Sequence, residues 1–208
     1  MAHVSITEAT QNEVLSMSTL EARAFHPVNP YHRKCFPDTP LVRQWWCSIF
    51  ESEVEDPTCY PLIAVDTQAT DDSKRAVGVL LLRRFERGQK GGGSFTSFPL
   101  TDDHDKEGCA SMFKGAGEHR EALIGDRRHL VVQYFGVDHE YKGSSIGTRL
   151  LERACEIADD EGIDIFVEAN KSATSFYMKV GFDSERELTM PGPEQYVECL
   201  MVRKRRRF

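Results

Sequence analysis

Residues 137–148, Val137-Asp138-His139-Glu140-Tyr141-Lys142-Gly143-Ser144-Ser145-Ile146-Gly147-Thr148, set a cation and a run of small residues directly ahead of a helix with an apolar face. A loop of that kind exposes backbone N–H groups at the positive end of a helix dipole, which suits the binding of a phosphate. Many strand-to-helix connections are rich in Gly and Ser without any ligand, so the loop alone leaves both readings open. His129, Glu168 and Tyr177 flank it with an imidazole, a carboxylate and a phenol. Each could move a proton, and each, on residue type alone, is more often structural. The six cysteines, Cys35, Cys47, Cys59, Cys109, Cys155 and Cys199, stand singly. With no CxxC pair and no clustering with histidine, they point to free thiols and to no metal site.

The elements that must position these groups follow from periodicity. His129–Val137 is a predicted strand, Gly147–Glu161 a helix with Leu150, Leu151, Ala154, Cys155, Ile157 and Ala158 on one face, and Ile163–Ala169 a strand. Strand, helix and strand in that order imply a parallel pair with a right-handed crossover. A short helix over Ser172–Val180 and strands near Phe182–Met190 and Gln195–Arg203 follow. Upstream, Val4 and Ile6 mark a short strand, Gln11–Phe25 a helix, and Phe25–Asp38, with three prolines, an irregular aromatic segment. Thr39 caps a helix that begins at Pro40 and ends before Pro57, with Trp45 and Trp46 at core spacing. Tyr60–Val65 and Ala76–Phe85 form an antiparallel hairpin. Glu86–Glu107 reads as a long loop or lid, and Met112–Ile124 as a helix stopped by Gly125.

Composition bounds the rest. A chain of 208 residues, 40% hydrophobic and 28% charged, suits one domain over 1–208. Its longest apolar run, Val77–Leu82, falls short of the roughly 20 residues a spanning helix requires. The N-terminal MAHVSITEATQNEV lacks the apolar stretch of a secretory signal. A cytoplasmic protein without membrane contact is expected. A formal charge of −7 argues against nucleic acid. The exception is Arg203–Arg207, readable as a nuclear address or as a solvated end after the last strand.

The segment YFGVDHEYKGSSIGTRLLERACEIADDEGIDIFVEANKSATSFYMKVGF resembles the signature half of the GNAT superfamily, the acyl-CoA-dependent N-acyltransferases, and in particular its small fungal members. The specific part covers residues 126–182. The resemblance implies an α/β fold with a mixed, mostly antiparallel twisted sheet, a splayed parallel strand pair and flanking helices. It also implies acetyl-CoA as the acyl donor, with its pyrophosphate on the amides of Lys142, Gly143, Ser144, Ser145, Ile146, Gly147 and Thr148. Ser145 stands where the family pattern has its central glycine, a departure that bears on CoA affinity. Transfer is implied to be direct, in a ternary complex. A backbone N–H near Val137, freed by a bulge around Phe135-Gly136, would meet the carbonyl oxygen, and Phe135–Val137 would pair with the pantetheine amides. Tyr177 falls where relatives carry the acid that protonates the departing thiolate. Asn170 either touches the cofactor or caps a helix.

The base is less defined, because Val131 and Gln133 occupy the strand positions where relatives place a titratable group. Glu168 and His129 are the leading candidates, with His26 and His32 behind them. Segments 25–57 and 86–128 should supply the acceptor side, with Tyr31, Phe36 and Gln133 as candidate contacts for an apolar or aromatic amine. The expected activity is transfer of an acetyl group to a small-molecule amine by a monomer or homodimer. The rivals are a cleft reused for CoA-independent isomerisation or cyclisation, and a protein-lysine acetyltransferase or binding protein.

Overall fold

One strand, β4 (His129–Val137), sets the geometry of the molecule, because its pairing changes partway along. The computed structural model describes residues 3–91, 93–114, 116–189 and 196–205. Seven strands form one sheet in the order β1 (Val4–Glu8), β2 (Cys59–Asp66), β3 (Ala76–Phe85), β4, β5 (Asp164–Asn170), β7 (Val197–Arg203), β6 (Asp183–Thr189). Every neighbouring pair is antiparallel except β4 and β5. Their parallel ladder runs only from His129 opposite Asp164 to Val132 opposite Val167. Beyond it, Tyr134–Val137 keep β3 as a partner and Glu168–Asn170 keep β7, so the two strands part.

A bulge marks the same point. Leu81 pairs with Tyr134 and Leu82 with Val132, which leaves Gln133 as the extra residue. The bulge therefore lies two residues before the expected Phe135-Gly136, both of which pair regularly with Leu80 and Val79. One inserted residue shifts the alternation of side chains. Leu130 and Val132 before it, and Phe135 and Val137 after it, all pack on one face, while Tyr134 packs on the other.

On the first face lies α6 (Ile146–Glu161), its apolar side formed by the residues the spacing marks, and Cys155 is core as read. Gly78 on β3 makes its close approach feasible, since a Cβ there would fall 2.8 Å from Ile146 Cγ2. Gly162 ends the helix in the left-handed conformation and donates to the carbonyl of Ala158. The opposite face carries α1 (Val14–Phe25), α2 (Pro30–Cys35) and α3 (Pro40–Glu55) over Met17, Leu20, Trp45, Ile49 and Phe50. Helix α2 corrects the reading of 25–38 as irregular. Asn29 caps it by accepting from the His32 amide and Pro30 sits at its first position, so that proline starts a helix rather than interrupting one.

The expected helix over Met112–Ile124 is instead two, α4 (Lys106–Lys114) and α5 (Ala116–Ile124), and a 3₁₀ turn at Ser94–Ser97 interrupts the expected loop. The predicted Ser172–Val180 helix is a 3₁₀ turn, Lys171–Ala173, followed by α7 (Thr174–Met178). Met190 and Gln195, expected at strand ends, lie outside the described residues. The basic tail divides: Arg203 is buried in β7 and grips both carboxylate oxygens of Asp159 at 2.9 and 2.7 Å, and Arg205 donates to Asp164 and to the Gly162 carbonyl. Arg206 and Arg207 lie outside the described residues. Among those residues no helix is long and apolar enough to cross a membrane.

Candidate active site

Where β4 and β5 part, a cavity of about 830 Å³ opens. The 142–148 loop borders it at one end. Gly143 and Ser145 there have φ of 84° and 63°, and Ser145 is the one non-glycine residue with positive φ among the described residues. This is the conformation for which glycine is favoured, and holding a side chain in it costs about 1–2 kcal/mol. The turn aims the amides of Ser145, Ile146, Gly147 and Thr148 away from any acceptor among the described residues, as the start of a helix requires. Lys142, Gly143, Ser145, Ile146, Gly147 and Thr148 line the cavity, whereas Ser144 does not and turns its hydroxyl to the Tyr141 carbonyl. This donor set, with a lysine beside it, fits a pyrophosphate.

Phe135 and Val137 follow along the open side of β4 and also line the cavity. Gly136 does not, because it faces Ala24 and Phe25, where a Cβ would lie 3.1 and 3.2 Å from their side chains. Tyr177 is 5% exposed, with its ring against Phe176, Phe182 and Phe135. It lines the cavity, and burial raises its phenol far above the ordinary value, so the group stays protonated. Asn170 Oδ1 accepts from the Ala173 amide at 2.9 Å, so it is a cap, and it borders the cavity as well.

Glu168 of β5 and Glu198 of β7 point into the same space. Glu198 pairs in register with Asn170, two residues from Glu168 on the same face of the sheet. Burial pushes the Glu168 carboxyl up to about 7. It does the same to Glu198, also to about 7, with the neighbouring charge of Glu168 adding to the effect. His119 of α5 brings Nδ1 to 3.3 Å from Glu168 Oε1, and burial lowers its own pKa. Sequence reasoning missed Glu198 and His119. A lone acid inside the apolar run Cys199–Val202 and its neighbours was the available signal for the first, while nothing local marked the second.

His129 is not brought to the cavity. It is 2% exposed, donates to the Arg127 carbonyl through Nδ1 at 2.7 Å and stacks on Phe85, with its pKa lowered by burial. Tyr31 and Phe36 are likewise displaced from their expected role. The Tyr31 hydroxyl donates to the Gly108 carbonyl at 3.0 Å and its ring stacks on Tyr196, while Phe36 is 1% exposed among Trp45, Trp46 and His104. The aromatic wall is instead Phe25, Trp46, Phe95, Phe113, Tyr134 and Tyr196, so Trp46 both packs and faces the cavity. Gln133 reaches it as expected. Its Oε1 accepts from Arg83 Nε at 2.9 Å, and Arg83 is fixed by Glu53 and Asp56 at 2.8 and 2.7 Å. Gly93 of the 86–128 segment sits against Gln133 so closely that a Cβ would overlap Nε2.

The profile of the acetyltransferase (GNAT) family matches residues 17–182. No curated protein matches the chain by sequence. Among solved structures, the chain superposes on arylalkylamine N-acetyltransferase 2 from Aedes aegypti with a TM-score of 0.68 and 14% identity, covering 97% of this chain and 99% of that one. An agmatine N-acetyltransferase gives 0.66 and 15%, covering 96% and 98%. The PaiA N-acetyltransferase from Thermoplasma acidophilum, in complex with coenzyme A, gives 0.54 and 14%, covering 97% and 98%. At these identities the likeness establishes a common fold.

Proposed function

Because the chain belongs to the acetyltransferase (GNAT) family, it is an acetyl-CoA-dependent N-acetyltransferase, and we propose that its acceptor is the amine of a small molecule with an apolar or aromatic body. One observation carries the reading. A single cavity joins the bare amides of residues 145–148 to the buried carboxyl of Glu198 and the partly buried carboxyl of Glu168 inside an aromatic wall.

Acetyl-CoA supplies an acetyl group already activated as a thioester. The loop amides and Lys142 would hold its pyrophosphate, and the unpaired edge of Phe135–Val137 would take the amides of its pantetheine arm as an added strand. Val137 N–H is the backbone donor best sited to meet the carbonyl oxygen as it gains charge. An aliphatic ammonium, with an ordinary pKa of about 10.4, must lose a proton before it can attack. Glu168 in its carboxylate form takes that proton, and its charge in turn favours the neutral form of Glu198, which faces the same space. Tyr177 Oη, kept protonated by burial, donates to the leaving sulfur. Phe95, Met112 and Phe113 give the acceptor side an apolar lining. That lining favours a small apolar or aromatic acceptor over a charged peptide, and the amide-lined loop argues against CoA-independent chemistry.

Calorimetric titration with acetyl-CoA and CoA at moderate salt is the first test, followed by thiol release with phenethylamine, spermidine and a lysine peptide. Micromolar CoA binding and turnover of a small amine are expected. No CoA binding would sink the donor assignment, and turnover of the peptide alone would sink the small acceptor.

A further inference from the structure

Cys35 and Cys109 take no part in the transfer chemistry, yet the fold brings them together from positions 74 apart in the chain. Cys35 ends α2, and Cys109 lies near the start of α4. Both are fully buried. Cys109 Sγ donates to the Cys35 carbonyl at 3.4 Å. A Cβ on Gly108 would fall 2.7 Å from Cys35 Sγ, so that glycine lets the sulfur lie against the α4 backbone one residue before the second thiol. The same seam holds Tyr31 Oη on the Gly108 carbonyl at 3.0 Å and the Asp105 amide on the Cys35 carbonyl at 3.3 Å.

The two thiols are also in hydrogen-bonding contact with each other. Cys109 as donor lowers the pKa of Cys35, against burial and the charge of Asp105 and with help from Lys34, while the same contact and burial keep Cys109 protonated. A thiolate is the form that attacks an oxidant, and a neighbouring thiol is what resolves the product. An ion pair between Lys34 and Asp105, at 2.7 Å and with Lys34 67% exposed, joins the two segments at the surface. A pair so exposed contributes little, so local opening of this seam admits a small solute without loss of the fold.

Each thiol stands one helical turn from residues that line the cavity. Met112 and Phe113 follow Cys109 on one face of α4, and His32 precedes Cys35 on α2. Phe113 also meets Phe36, the residue after Cys35, with ring centroids 6.2 Å apart. Drawing two hydrogen-bonded sulfurs to a covalent separation of about 2 Å pulls α4 toward α2 and carries Met112 and Phe113 with it.

We propose that Cys35 and Cys109 are a redox-sensitive pair that forms a reversible disulfide, tying α2 to α4 and constricting the acceptor side of the cavity. The oxidant is a hydroperoxide. The Cys35 thiolate attacks one oxygen of hydrogen peroxide, giving a sulfenic acid and hydroxide, which takes the proton Cys35 gave up. The Cys109 sulfur then displaces the sulfenic oxygen as water, so two thiols and one peroxide become one disulfide and two waters. A dithiol reductant reverses the bond by exchange. The pairing does not depend on which amine is acetylated.

The test exposes wild type, Cys35→Ala and Cys109→Ala to hydrogen peroxide, removes it, and treats half of each sample with dithiothreitol. Peptide mass mapping without reduction should find residues 35 and 109 joined in wild type, two hydrogens lighter than the separate thiols. The oxidised chain should melt several degrees higher, as a long closed loop requires, and Trp45 and Trp46, both against Phe36, should shift in emission. KM for phenethylamine should rise about 3- to 10-fold while CoA affinity stays within about twofold, since a small displacement of packed side chains is felt locally. Dithiothreitol should restore every value, and neither variant should respond. Cys35→Ser and Cys109→Ser repeat the test should the alanine variants fail to fold. Oxidation of Cys47 or another thiol while 35 and 109 stay reduced would overturn the pairing. A mapped 35–109 bond with unaltered tryptophan emission and KM would overturn the switch. Phenethylamine that is not turned over at all would sink the acceptor reading, and mapping and emission would still decide the pair.

Discussion

His119 Nδ1, on a helix that covers the cavity, lies 3.3 Å from Oε1 of Glu168, on the strand that opens it. The proposed base is therefore touched by the acceptor-side segment rather than by its own strand, and both partners owe their altered acidity chiefly to burial.

From this follows a pH dependence. Glu168 works as the carboxylate and its pKa is pushed up to about 7, so kcat should climb as pH rises through neutrality. Replacing it by Gln should lower kcat by about 10²-fold or more and flatten that limb. A profile with the same limb in Glu168→Gln would reassign the titration.

Stability should respond in the opposite sense. The folded-state pKa of Glu168 lies above the ordinary carboxylate value of about 4.3, so between those values the folded chain binds the proton more tightly than the unfolded one. The contribution is fully favourable below the unfolded value and fades as pH climbs through 7. At pH ~8 the buried charge costs up to about 4 kcal/mol for this group. Glu168→Gln should accordingly raise Tm at pH ~8 and leave it nearly unchanged at pH ~4, which thermal melts in two buffers would check.

Tyr177→Phe should cut turnover by about 10- to 100-fold while CoA affinity stays within about twofold, since the phenol donates a proton but the ring packs on Phe182 either way. Turnover unaffected by this change would reduce Tyr177 to packing.

Ser145→Gly removes a side chain from a left-handed position. The relief of strain is offset by added freedom in the unfolded chain, so stability should change by less than about 1 kcal/mol. CoA affinity measured by calorimetry should be preserved or tightened. A marked loss would mean the Ser145 hydroxyl itself contributes to binding.

Arg83→Met should destabilise by about 3–5 kcal/mol, because it removes the guanidinium that lies 2.8 Å from the fully buried Glu53. It also frees the Gln133 carbonyl from its Arg83 donor. Denaturant midpoints would read the first effect, and acceptor KM the second.

What the sequence made legible was whatever is decided locally. The strand, helix and strand from His129 to Ala169 announced themselves by a change of period and by Gly162, and the lysine-glycine-serine loop between them declared its anion chemistry. Tyr177 and Asn170 were placed by resemblance, and the fold brings both to the cavity. Helix α2 was obscured because three prolines read as breakers, although Pro30 after a capping Asn29 is a start signal. Tyr31 and Phe36 read as pocket residues from aromatic character and from the resemblance, which puts acceptor contacts in the first half of the chain. Which side of a six-residue helix faces the cavity depends on α1 and α4, and that is long-range information. Glu198 escaped for the same reason: its significance is its register beside Asn170 and Glu168 across a strand pair far apart in the chain.

A sheet that divides beyond Val132 and Val167 carries an exposed edge in its interior, flanked by two half-sheets hinged on the short parallel ladder. Unpaired strand edges are adhesive and compliant, so a bound pantetheine arm would act as a structural member as well as a reactant, closing the gap as an eighth strand would. The molecule should therefore stiffen in a place remote from any helix when CoA arrives. Backbone amides of 133–137 and 168–170 should slow sharply in hydrogen exchange, while those of β1 and β2, already paired with each other, keep their rates.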